Sequence, residues 1–222
     1  MILAVDTSTR MMGIAIFNGV KVIGQESWVT QHHHTIELAE AVENILNRVR
    51  LGTDDLDALG VALGPGSFTG LRIGLAFMKG IAFHQQIPLL GIPSLDVVAA
   101  AQPLKCEDLV TVLEAGRERF AAGWYRAEQE AWVPSGDLEN LTLEELAGKI
   151  TKPTQVAGEL SEEARETLQT IPEVILASPV HSLRNPAFLA FLAWNAWQDG
   201  ERDDPSTLSP IYLHRDQPIP NS

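Results

Sequence analysis

A chain of 222 residues with 45% hydrophobic side chains can bury one large core or two small ones. Its 16 basic and 29 acidic residues leave a net charge of -13, which argues against a self-sufficient nucleic-acid binder, because such a protein needs a basic footprint. The single cysteine, Cys106, excludes an internal disulfide and fits a reducing compartment. Met1-Ile2-Leu3-Ala4-Val5-Asp6 lacks the basic start of a signal peptide, and no apolar run reaches the roughly 20 residues of a membrane span. A cytoplasmic protein without membrane contact is expected.

In chain order, Ile2 to Val5 reads as a buried strand, with turn chemistry in Asp6-Thr7-Ser8-Thr9-Arg10. Gly13 to Phe17 is a second strand, Asn18-Gly19 is the strongest hairpin signal in the chain, and Val20 to Val29 is a third strand. From His34 to about Val49 the period becomes helical, with Ile36, Ala39, Val42, Ile45 and Val49 on one stripe. Ala58 to Leu63 is a strand that needs burial on both faces. The Gly-rich turn Gly64-Pro65-Gly66-Ser67 then opens a helix from Phe68 to about Phe83. Ile87 to Ile92 is a fifth strand, and Ser94 is placed to cap a helix to Ala101. Three antiparallel strands followed by helix-linked parallel ones is the ribonuclease-H-like order.

Ala101 to Lys105 marks a domain boundary, giving units over 1–101 and 102–222. The pattern then restarts in shortened form. Leu109 to Glu114, Phe120 to Arg126 and Ala131 to Val133 read as strands, and Thr142-Leu143-Glu144-Glu145 is a capping box opening a helix. Thr154 to Ala157 and Val174 to Ala177 read as further strands, with a helix from Ser161 to Leu168 between them. Asn185-Pro186 starts a last helix to Gln198. Its Phe188, Phe191, Trp194 and Trp197 lie on nearly every face, which predicts burial between layers or domains. In the Pro-rich tail, Pro210-Ile211-Tyr212-Leu213 is a docking candidate.

The stretch Gly64 to Leu75 carries the most information. Its glycines either bring backbone amides to a phosphate at the helix start, or let a second helix pack closely on the face of Gly70 and Gly74. A dinucleotide turn fits poorly, since the next strand ends Ile92-Pro93-Ser94 without an acid. Lys79 precedes glycine and so makes no Walker motif, and the surroundings of Ser67 do not match a nucleophile elbow. His32-His33-His34 are contiguous, so their side chains fan out and cannot share one metal ion; no metal site is expected.

The opening Ile2 to Thr9, the stretch Gly64 to Leu75 with Lys79-Gly80, and Pro210 to Leu213 resemble the TsaB (YeaZ) family. The resemblance implies two ribonuclease-H-like domains of the actin-like ATPase superfamily. It implies a non-catalytic, dimerising partner of TsaD in forming threonylcarbamoyladenosine beside the tRNA anticodon. TsaE, an ATPase, would bind the pair, tRNA would be met only through the complex, and the chain alone would form a homodimer. The first two helices would form the partner interface, through His34, Glu37, Leu38 and Ala41 on one and Phe68, Gly70, Leu71, Arg72, Gly74, Leu75 and Met78 on the other. The resemblance also moves the reading of Gly70 and Gly74 toward a contact between proteins.

Asp6-Thr7-Ser8-Thr9 has two readings. One is a phosphate loop in which Asp6 holds hydrated magnesium. The other, preferred, is a strand-ending turn or a vestigial site, because Glu114-Ala115-Gly116 and an isolated Gly158 make a poor second half for a nucleotide site. No cofactor is expected; weak ATP, ADP or magnesium at the domain cleft or complex interface stays open. The competing readings are a metal-dependent glycoprotease-like peptidase and an actin-like ATPase.

Overall fold

Successive side chains of Ile2–Asp6 (β1) point to opposite faces of a sheet, and here both faces are apolar. The computed structural model describes residues 1–30, 34–116 and 118–213, without the side chains of 34 and 35. β1 pairs antiparallel with Met11–Phe17 (β2), which pairs antiparallel with Val22–Val29 (β3). The turn between β2 and β3 is set by Asn18, whose Oδ1 accepts the amides of Val20 and Lys21 at 3.0 and 2.9 Å, and by Gly19 at φ 85°. After His34–Val49 (α1), Ala58–Gly64 (β4) returns parallel to β1, and Phe68–Gln85 (α2) leads to Leu89–Pro93 (β5), parallel to β4. The sheet order is β3-β2-β1-β4-β5.

The continuous apolar runs of β1 and β4 follow from burial on both sides. Leu3, Val5, Leu59 and Val61 pack under α1 and α2 against Leu38, Val42, Leu75 and Met78. Ile2, Ala4, Ala58 and Ala62 face Leu189, Ala190 and Ala193 of Pro186–Gln198 (α6). The second sheet repeats the winding. Its strands are Asp108–Glu114 (β6), Arg119–Glu128 (β7), Ala131–Pro134 (β8), Glu139–Thr142 (β9), Thr154–Gly158 (β10) and Val174–Leu176 (β11), in the order β11-β10-β6-β7-β8 with β9 also on β7. Leu143–Lys149 (α4) begins at the Thr142–Glu145 capping box, and Glu162–Gln169 (α5) at the Ser161 cap. No helix among the described residues is long and apolar enough to cross a membrane.

Three expectations change. Ser94 does not cap Ser94–Ala100 (α3); its hydroxyl accepts the Gly64 amide at 3.0 Å and bonds Ser8 Oγ at 2.5 Å. The unit expected over 102–222 gives its last helix to the first sheet, where the 207–213 segment also docks: Ile211 N donates to Leu63 O at 2.8 Å and Lys79 Nζ to Leu208 O at 2.7 Å. Finally, α6 is not buried all round. Its inner face lies on the first sheet, its Trp194 reaches the β2–β3 hairpin with its ring 5.8 Å from Phe17, and Phe191 remains exposed.

α3 lies between the sheets, with Val97 in the core of the first and Leu95 and Val98 in that of the second. There Tyr125 Oη donates to Asp96 Oδ1 at 2.6 Å. Burial raises both groups, and it does so for Asp96 despite the opposing hydrogen bond from Tyr125. Between the ordinary carboxylate value of 3.8 and the raised one, the folded chain therefore holds a proton that the unfolded chain has released. Stability falls as pH rises through that window. Asn keeps an acceptor for Tyr125 without the charge, so thermal unfolding should show the Tm of Asp96→Asn gaining on wild type as pH rises from 3.8; a constant difference would count against this account.

Candidate functional site

The Gly-rich stretch seats the start of α2 on the turn that ends β1. Ser67 N donates to Ser8 O at 2.6 Å, and Ser67 Oγ caps α2 by accepting from Gly70 N at 3.3 Å. Thr7 Oγ1 donates to Gly70 O at 2.8 Å. A Cβ at Gly66 would run into the Ser8 carbonyl, one at Gly70 into the Thr7 carbonyl, and one at Gly74 into the Thr7 hydroxyl. This corrects the expectation for Gly70 and Gly74. The close approach they permit is made inside the chain, to its own 6–9 turn.

The side chains of the turn are bonded within the chain. Asp6 Oδ1 accepts the Ser8 amide at 2.8 Å, and Asp6 Oδ2 pairs with Arg184 Nε at 2.9 Å. Both side chains are only 1% exposed. Arg184 also donates to Glu159 Oε1, to Thr9 Oγ1 at 2.7 Å and to Met11 O at 2.9 Å, while Thr9 Oγ1 donates to Glu159 Oε1 at 2.8 Å. Burial alone would lower the pKa of Arg184, but the Asp6 and Glu159 carboxylates outweigh it and hold the guanidinium above its ordinary value. Thr7, Ser8 and Thr9 thus give their hydroxyls to Gly70, Ser94 and Glu159. The phosphate-loop reading required those hydroxyls and the Asp6 carboxylate to face a ligand. Above this knot, Thr9, Arg10, Gly66 and Ser67 from one side and Glu114, Gly116, Asn140 and Glu159 from the other line an interdomain cleft of about 1020 Å³. Neither Arg184 nor Glu159 stood out in the sequence. The only local hint at Arg184 is a charge placed directly before the Asn185-Pro186 helix start.

The outer surface of α1 and α2 is the second candidate region. Of the residues expected at a partner interface, Leu38, Gly70, Leu71, Gly74, Leu75 and Met78 are buried in the chain's own fold. Their place in that set is corrected: they support the face but do not form it. Glu37 and Ala41 are half-buried, and Glu37 accepts from Trp28 Nε1 at 2.8 Å and Thr30 Oγ1 at 3.0 Å. His32, His33, the His34 side chain and Arg117 lie outside the described residues. Phe68 and Arg72 are at the surface, with the guanidinium carbon 3.8 Å from the Phe68 ring centroid. Tyr212 completes the cluster, its ring 5.3 Å from Phe68 and its hydroxyl accepting from Arg72 Nε at 3.1 Å. Phe68, Thr69, Arg72, Ile73, Ala76 and Phe77 line an apolar groove of about 480 Å³ with Leu38 beneath. Ile36, 62% exposed, and Phe83, 80% exposed, extend the apolar surface on α1 and α2.

Two substitutions separate these roles. Arg184→Ala leaves buried Asp6 without its cation and should cost about 3–5 kcal/mol in urea unfolding; a loss under about 1 kcal/mol, typical of a surface pair, would contradict the burial argument. Gly70→Ala should cost about 1–3 kcal/mol through overpacking on Thr7, whereas a glycine reserved for a partner would leave the isolated chain equally stable or more so, alanine being the better helix former.

The family model of TsaD, tRNA N6-adenosine threonylcarbamoyltransferase, matches residues 27–178. The chain is 29% identical over 219 residues to the tRNA threonylcarbamoyladenosine biosynthesis protein TsaB of Bacillus subtilis, covering 96% of this chain and 93% of that one. It is 33% identical over 158 residues to TsaB of Escherichia coli, covering 67% and 68%. Among solved structures, YeaZ from Pseudomonas aeruginosa superposes with a TM-score of 0.77 over 96% of this chain and 99% of that one, at 24% identity, and so shares its fold. Two ribonuclease-H-like sheets of the actin-like type, a TsaD-type match over more than half the chain and TsaB relatives along nearly all of it lead to one assignment: the chain belongs to the TsaB (YeaZ) family.

Proposed function

We propose that the chain serves in tRNA threonylcarbamoyladenosine biosynthesis as a non-catalytic subunit that binds TsaD through the outer face of α1 and α2. The observation that carries this reading is the apolar groove along α2, bounded by Phe68 and Arg72 and open at Ile73, Ala76 and Phe77. The names of the TsaB relatives support the pathway. The Asp6 turn supports assigning the chemistry to another subunit, since its side chains are already bonded within the chain. Binding would act by favouring the productive form of TsaD. TsaE would then engage the pair, and tRNA would be met only through the complex, in keeping with a net charge of -13. In isolation, the same face would pair with a second copy, because an isologous contact reuses one patch.

Ala76 is the residue to test: it lines the groove, is exposed, and sits mid-helix where arginine is well tolerated. Ala76→Arg should weaken TsaD binding at least about thirtyfold, as expected for a central contact worth about 2 kcal/mol. Calorimetry against purified TsaD would measure it, with far-UV circular dichroism and Tm unchanged. Unaltered affinity in a folded variant would place the interface elsewhere.

A further inference from the structure

The actin-like fold carries an expectation of a magnesium ion held near the first-strand aspartate, and the residues of this chain do not fit it. Hydrated magnesium keeps several waters and needs an accessible carboxylate. Asp6 is buried, with one oxygen on the Ser8 amide and the other on Arg184 Nε. Arg184 is held there by four oxygens, from Asp6, Glu159, Thr9 and the Met11 carbonyl. Two carboxylates, a hydroxyl and a carbonyl form a donor set of the kind hard divalent cations take. We propose that Arg184 is the resident cation of this site: it takes the place of a divalent metal at Asp6, and the cleft works without one.

The charges agree with this assignment. One guanidinium meets two carboxylates, and the excess negative charge falls on Glu159, whose side chain is 29% exposed and can be solvated, whereas Asp6 cannot. The set also draws on both halves of the fold, since Asp6, Thr9 and Met11 come from the first sheet and its turn and Glu159 follows β10 of the second. A guanidinium supplied by the chain spans them permanently. A metal would make the same bridge conditional on its concentration.

Mn²⁺ titration of the full chain, read from the electron paramagnetic resonance of the free ion, tests the assignment. Wild type and Asp6→Asn should leave the same free Mn²⁺ signal. Arg184→Ala should gain Mn²⁺ affinity by at least about tenfold over wild type, lose that gain when Asp6→Asn is added, and show a Mn²⁺-dependent rise in Tm. Arg184→Lys, which keeps a positive charge, should gain none. Asp6-dependent Mn²⁺ uptake by wild type would overturn the proposal, as would a folded Arg184→Ala without the gain. Should Arg184→Ala fail to fold without metal, recovery of its folded circular dichroism in Mn²⁺ supports the proposal and its absence counts against it, while the wild-type comparison stands independently.

Discussion

A charged side chain withdrawn from water holds this molecule in register. Taking a guanidinium into the interior costs several kcal/mol unless hydrogen bonds and opposite charge offset it, and Arg184 is offset by two carboxylates, a hydroxyl and a carbonyl. Because those acceptors belong to separate segments, satisfying one arginine fixes the 6–9 turn, the residue after β10 and the approach to α6 relative to one another. The turn in turn receives α2. Thr7 and Ser8 meet Gly70 and Ser67, so the direction of α2 follows from where the knot holds the turn. Phe68 and Arg72 stand on the first turns of that helix, and their presentation to solvent is the far end of the same sequence of contacts.

Small residues seat helices and turns on both faces of the first sheet. On the α2 side, glycines admit the backbone of the 6–9 turn. On the α6 side, a Cβ at Gly60 would lie 2.7 Å from Ala193 Cβ, and one at Gly13 3.1 Å from Pro186. Large side chains are displaced to the flanks of α6, where Trp194 and Trp197 meet edge to face at 5.2 Å. A helix that looks apolar all round in sequence is therefore a helix with a narrow seat of alanines and aromatic shoulders.

This explains which features the sequence made legible. Signals carried by adjacent residues were readable: the Asn18-Gly19 turn, the Thr142–Glu145 box and the Asn185-Pro186 start each satisfy amides within three residues. The ribonuclease-H-like order was readable because strand and helix periods alternate clearly. What could not be read were contacts between distant residues. Asp6 and Arg184 are separated by 178 positions, and neither has a local pattern that announces the other. Gly70 and Gly74 were visible as a close-packing face, but periodicity cannot say whether the neighbour is another chain or Thr7. Ser94 has the residue type and position of a cap, yet its hydroxyl is taken by Gly64 and Ser8, both distant in sequence. β9 was hidden because Glu139-Asn140-Leu141-Thr142 has little strand propensity and pairs only through β7.

The partition of α2 gives a physical reason to look outward for the partner. Its inner residues are already explained: Gly70 and Gly74 by Thr7, and Leu71, Leu75 and Met78 by the core. Gly80 is different. A Cβ there would meet nothing within 4 Å among the described residues, so no packing among them calls for glycine, and glycine inside a helix costs about 1 kcal/mol relative to alanine. Ala76 lies one turn before it on the same exposed face, between Ile73 and the 80% exposed Phe83. The outward glycine gives up helix stability in the isolated chain, and the apolar side chains on either side leave surface in water. Under the proposed binding through this face, small residues would let a partner helix approach to about 8 Å while the flanking apolar groups leave water. Gly80 would then serve the proposed association, while the crowded glycines of the same helix secure the fold that presents it.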